Sequence, residues 1–90
     1  MEYAFTRGRF NVHYLTAPYA LLVKAFGNDG TVSPRDTYKV TAQWDSHPGT
    51  PGWEVYDYKS GLQRHEVTEW HVQGTPEGIE AMLELLKEAS

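Results

Sequence analysis

The densest grouping of side chains able to do chemistry is His65-Glu66-Val67-Thr68-Glu69-Trp70-His71. A zinc hydrolase of the HExxH type needs two histidines one helical turn apart, with the glutamate between them as base. In this segment the place of the second histidine is taken by Glu69, and the β-branched and aromatic neighbours favour a strand over a helix. On a strand, Glu69 and His71 share a face about 6–7 Å apart and could hold a metal together, whereas His65 lies about 13 Å or more from Glu69. Two ligands complete neither a structural nor a catalytic zinc shell. A small metal-dependent enzyme using His71 and Glu69, with His65 or His47 brought in by the fold, is therefore the alternative reading, and a solvated polar strand face the simpler one.

Arg7-Gly8-Arg9-Phe10-Asn11-Val12-His13-Tyr14 overlaps the RNA-recognition strand pattern K/R-G-F/Y-G/A-F-V-x-F/Y at Arg7, Gly8, Val12 and Tyr14. Arg9, Phe10 and Asn11 break it where aromatic or small residues are required, and the β-α-β-β-α-β order of that module is missing. Direct nucleic-acid binding is not expected. There is no Gly-x-Ser-x-Gly elbow and no glycine-rich phosphate loop, and no spacing of the four histidines against carboxylates singles out an acid/base pair. No cofactor is expected, and a non-catalytic protein is favoured.

The elements that would position these residues follow from the alternation of side chains. Thr37 to Asp45 alternates Tyr38, Val40, Ala42 and Trp44 against Thr37, Lys39, Thr41, Gln43 and Asp45, the pattern of a strand with one face on a core. Trp53 to Lys59 reads as a second strand, turned back through Lys59-Ser60-Gly61 onto a third from Leu62 to Gln73. Arg9 to Thr16 alternates Phe10, Val12 and Tyr14 against Asn11, His13 and Leu15, with the first set placed inward. Tyr19 to Phe26 supports two readings. Asn28-Asp29-Gly30 resembles a hairpin turn and favours a strand, while Thr16, Pro18 and Gly27 fit the start and stop of a helix; the strand is preferred. Ser46-His47-Pro48-Gly49-Thr50-Pro51-Gly52 is the longest irregular stretch and the natural place for a variable surface.

At the C-terminus Thr75 suits an N-cap, Pro76 the first helical position and Glu77 the positive end of the helix dipole. Ile79, Met82, Leu83 and Leu86 recur at helical spacing and form one apolar stripe. The fold expected is α+β: one domain over residues 1–90, an antiparallel sheet of four or five strands with the C-terminal helix packed on one face. Phe10, Val12, Tyr38, Val40, Trp44, Trp70 and Val72 would face Ile79, Met82, Leu83 and Leu86.

Ninety residues without cysteine leave burial to supply nearly all the stability, and the twelve aromatic residues fit that need. Met1 to Arg7 has no apolar stretch of signal-peptide length, and the longest apolar run, Tyr19 to Val23, is far short of the ~20 residues of a membrane span. A cytoplasmic protein with no membrane partner is expected. The net charge of −4 sits entirely in the last third of the chain, where only Arg64 and Lys87 oppose six glutamates. Glu77, Glu80, Glu84 and Glu88 form an acidic helix face that could dock on a basic groove of a partner, although an ordinary solvated face would look the same. Trp53, Tyr56 and Tyr58 fall on opposite faces of one strand, so either both faces are covered or some rings are exposed, and exposed Trp and Tyr are typical interface anchors. Together with His47 in the Pro/Gly loop, these are the candidate partner-binding residues.

One acidic, cysteine-free, aromatic-rich α+β domain of this length, with a helix such as Thr75 to Ala89 and no catalytic motif, resembles the small proteins that phages and mobile elements use to disable bacterial defences, the anti-CRISPR proteins in particular. The resemblance covers the whole chain and rests on general character. It implies stoichiometric binding to a nucleic-acid-binding defence complex such as CRISPR-Cas, blocking its channel or a conformational step, and it assigns no role to any single residue. A virus structural or assembly protein is the third reading, and it would show self-association.

Overall fold

A computed structural model describes residues 1–31 and 40–90. Among them the chain forms β1 (Ala4–Thr6), β2 (Val12–Thr16), α1 (Tyr19–Phe26), β3 (Gln43–Asp45), β4 (Trp53–Tyr56), a 3-10 turn at Arg64–Glu66, β5 (Glu69–Gly74) and α2 (Pro76–Ala89). The strands make one sheet in the order β1-β2-β5-β4-β3, antiparallel at every pairing. Both helices pack on one face of it. This is the α+β architecture that the alternation and the C-terminal stripe predict, with one further helix.

α2 forms as its sequence dictates. Thr75 accepts the Gly78 N–H at 3.0 Å through its hydroxyl, and Pro76 opens the first turn. Ile79, Met82 and Leu86 are fully buried against Trp70, Val72 and Val55, each such side chain contributing roughly 1.5–3 kcal/mol. Leu83 is only half-buried and lies at the edge of that stripe. Gly78 belongs to the packing as well: a Cβ there would overlap the Gly52 carbonyl oxygen, which also accepts the Thr75 N–H at 3.0 Å. The loop between β3 and β4 is thereby seated on the first turn of the helix.

Tyr19 to Phe26 is a helix, not the strand preferred from its turn-like neighbours. Pro18 precedes its first turn with extended backbone, and Gly27, left-handed at φ 81°, stops it by donating its N–H to the Val23 carbonyl at 2.9 Å. Asn28-Asp29-Gly30 is a local turn closed by the Asn28 side chain on the Gly30 N–H at 2.8 Å, so the hairpin signal came from a helix exit. Leu21 and Leu22 are buried, and the Trp44 and Trp70 indoles donate to the Asn28 and Ala17 carbonyls at 2.9 Å each, fixing both ends of α1 to the sheet.

The expected strand from Leu62 to Gln73 is shorter than its pattern. Residues 57–68 leave the sheet, make the 3-10 turn and rejoin at Glu69. Arg64 explains the departure: its guanidinium donates to the carbonyls of Thr41 at 2.6 Å, Asp29 at 3.0 Å and Gly30 at 3.4 Å, drawing its own segment away from sheet register. Asp57, fully buried, accepts from the backbone N–H groups of Thr41 and Ala42 at 2.7 and 3.0 Å and from the hydroxyls of Thr41 and Ser60 at 2.8 Å. These bonds satisfy donors of residues 41–42, and regular pairing begins at Gln43. Val40, Ala42 and Trp44 are buried as their alternation predicts, while Tyr38 and the remainder of that expected strand lie outside the described residues.

The inward face of β2 is the reverse of the expected one. Leu15 is fully buried and pairs with Trp70 and Phe5, while Tyr14 is 49% exposed and Phe10 is 94% exposed. Phe10 and Asn11 are turn residues at φ 57° and 61°, so Phe10 adds nothing to the apolar set of Val12 and Tyr14; the alternation holds, but Leu15 and not Tyr14 lies on the face towards the helices.

Candidate functional site

The helices cover one face of the sheet, and among the described residues no helix packs on the other, which is called the open face below. Antiparallel register sets a single row across that open face: Thr6, Tyr14, His71, Tyr56 and Gln43, one residue from each strand. His71 sits at the middle of three tyrosines. Its ring stacks on Tyr56 at 5.5 Å with 15° between the planes, lies tilted against Tyr14 at 5.6 Å, and meets the edge of Tyr58 at 6.3 Å. Tyr58 is 48% exposed, and the Lys59 ammonium lies 5.5 Å from its ring centroid. The row exists because Tyr14, Tyr56 and His71 occupy cross-strand partner positions and have the opposite phase to buried Leu15, Val55 and Val72.

Carboxylates frame the aromatic row. On one side Glu69 accepts the Thr16 hydroxyl at 3.1 Å. On the other, Asp45 and Glu54 are direct cross-strand partners, and the Gln43 amide donates to both, at 3.1 and 3.4 Å. Partial burial first, and then the Asp45 charge, push the Glu54 carboxyl above the usual glutamate range. Burial, followed by Glu54 and Tyr58, likewise raises the Tyr56 phenol, which remains a neutral hydrogen-bond donor. Asp45, Glu54 and Gln73 also line an open cleft of about 450 Å³ beside the β3–β4 loop.

Tyr56, Tyr58 and His71 are thus brought together, with Tyr14 beside them. Trp53 is not: only 9% of it is exposed, and its ring packs on Phe26 at 4.7 Å, because strand alternation turns Trp53 and Val55 towards the helices. It is a core residue and leaves the candidate surface. Glu77, Glu80, Glu84 and Glu88 are all exposed along α2, on the helical layer rather than the open face. Glu80 is engaged by Arg7 at 3.1 Å, which partly neutralises the acidic face at its N-terminal end. His47 is exposed in a turn closed by the Thr50 N–H on the His47 carbonyl at 3.2 Å, beside a small recess lined by Phe26, Trp44 and Trp53.

Glu69 and His71 do share a face, as a strand requires, but Glu69 is turned to Thr16 and His71 to its tyrosines. His65 lies apart on the exposed 3-10 turn. Among the described residues no three His, Asp or Glu side chains are grouped to hold a metal, and no helix is long and apolar enough to cross a membrane. The residues that sequence reasoning missed are Tyr14, Asp45 and Glu54, the last two brought together only by cross-strand pairing. Alternation alone grouped Tyr14 with Val12 correctly, and it is the burial of Leu15 against Trp70 and the helices that turns Tyr14 to the open face. No protein-family model, curated protein or solved structure matches the chain.

Proposed function

We propose that this chain is a non-catalytic protein-binding module that docks through its open sheet face on a partner with a basic surface. The observation that carries the reading is the row of Tyr14, His71 and Tyr56, extended by Tyr58 and framed by Asp45, Glu54 and Glu69. Tyrosine rings offer large contact area at small entropic loss, and carboxylates around them match arginine and lysine side chains. Three carboxylates on this face also oppose phosphate, so a protein is the better partner than a nucleic acid. The resemblance to phage anti-defence proteins adds a class of target: a nucleic-acid-binding complex whose basic groove is blocked by a surface that supplies carboxylates where phosphates would lie. The exposed glutamates of α2 would then guide approach from the other layer.

Affinity capture from the native host, identification of the retained protein, and titration of that purified protein against variants test this reading. Tyr56→Ala and His71→Ala should each weaken binding at least tenfold while the chain stays folded, and raised salt should weaken it further as screening shortens below about 8 Å. Unchanged affinity in both variants, or capture of no protein, would overturn it.

A further inference from the structure

The hairpin between β1 and β2 carries a feature that folding does not account for. Arg9-Phe10-Asn11-Val12 is a type I′ turn, closed by the Val12 N–H on the Arg9 carbonyl at 3.1 Å, with left-handed φ of 57° at Phe10 and 61° at Asn11. Asn tolerates that geometry, whereas the Cβ of a bulky residue crowds its own backbone there, and Asn-Gly is the ordinary solution. Phe10 is also 94% exposed, the most exposed of the large apolar residues described. The ring therefore sits where neither backbone preference nor packing against the described residues favours it, and such a conformational outlier is the observation from which a role in binding is argued.

The two strands below the tip are closely joined. The Gly8 N–H donates to His13 Nδ1 at 3.0 Å, and Gly8 lies so close beneath the returning strand that a Cβ would overlap the Val12 carbonyl oxygen. At the base of the hairpin, Arg7 bonds Glu80 of α2 and lies 5.6 Å from the centroid of the Phe5 ring. Arg9, next to the ring, is exposed. Antiparallel order brings this tip to the same end of the sheet as the N-terminus of α2, with Glu77 and Glu80 in its first turns. The charge around the tip is thus mixed, with Arg7 paired to Glu80 and Arg9 exposed to meet a carboxylate of a partner.

We propose that Phe10 is an anchor residue that inserts into an apolar pocket of a partner protein whose rim carries a carboxylate for Arg9. The inference rests on the protein-binding reading for the class of partner and adds a second contact at the end of the sheet. Phe10 is replaced by the photoreactive p-benzoylphenylalanine in the full chain, which is irradiated in the native host, and the adduct is mapped. The result expected is a covalent link to one protein, at a pocket with apolar and acidic residues. Binding of that purified protein to Phe10→Gly should be at least tenfold weaker, although Phe10→Gly relieves the turn and should melt at or above the parent temperature. Links only to lipid, to nucleic acid or to a second copy of this chain, no link at all, or undiminished affinity of Phe10→Gly would each overturn the inference. If Phe10→Gly binds normally while Tyr56→Ala does not, the anchor fails and the sheet-face reading stands; if neither loses affinity, both fail.

Discussion

Asp57 and Glu54 show how differently two carboxylates three residues apart can act. Asp57 is fully buried and accepts four hydrogen bonds, tying residues 41–42 and Ser60 to the end of β4. Asp57→Ala would leave those donors without a partner, and we expect a loss of about 2–4 kcal/mol in urea unfolding. Glu54 lies on the open face, and burial and Asp45 hold its folded pKa above the ordinary value. An acid with a raised folded pKa binds more protons folded than unfolded between those two values, so its contribution to stability falls as pH rises through that window and the full penalty is felt above it. Glu54→Gln should accordingly melt higher than the parent at pH 7, by no more than the few degrees that less than about 1 kcal/mol provides at a solvated site. The difference should vanish below the ordinary glutamate pKa. An equal difference at every pH would show that the gain is not electrostatic.

At the scale of elements, α2 is the part on which the sheet depends most. Leu86 is fully buried on it and Leu83 only half-buried. Leu86→Asp places an unpaired charge in the core and should abolish the cooperative melt seen by circular dichroism, while Leu83→Asp, at the edge of the stripe, should lower the melting temperature and leave a folded domain. Equal behaviour of the two would mean that the helix is rotated from the position described. Gly78→Ala gives a second check. Alanine improves helix propensity in general, yet here its methyl meets the Gly52 carbonyl, so a loss of roughly 1–3 kcal/mol is expected instead of a gain. A rise in stability would show that the β3–β4 loop does not rest on the helix.

At the scale of the described residues as a whole, two surfaces of different chemistry lie on opposite layers: the tyrosine–histidine row on the sheet face away from the helices and the glutamates of α2. Reversing Glu80, Glu84 and Glu88 to Lys should leave the fold intact, because all three are exposed, and the Arg7–Glu80 pair, 60% and 68% exposed at its two side chains, contributes little. If α2 only guides approach, the triple variant should slow association with the captured partner and leave dissociation nearly unchanged, whereas Tyr56→Ala should speed dissociation. Stopped-flow or surface-binding kinetics separate the two. A triple variant whose dissociation accelerates as much as that of Tyr56→Ala would place α2 itself in the interface.

Local signals were sufficient where each residue's preference agreed with its final environment. Thr75-Pro76-Glu77 and the Ile79, Met82, Leu86 spacing determined α2, and Val40, Ala42 and Trp44 determined which way that segment faces, because periodicity and capping are properties of a few neighbouring residues. Tertiary structure decided the rest, where the deciding contact comes from far along the chain. Arg64 reaches Asp29, Gly30 and Thr41, converting the start of an apparent strand into a 3-10 turn, and Asp57 does the work of a sheet partner for residues 41–42. Tyr19 to Phe26 is helical because Leu21 and Leu22 complete a core with Trp44 and Trp70 that the segment alone does not reveal. The open face follows from the same cause. Tyr14 lies 57 and Tyr56 15 residues before His71, and only strand pairing brings them into one row.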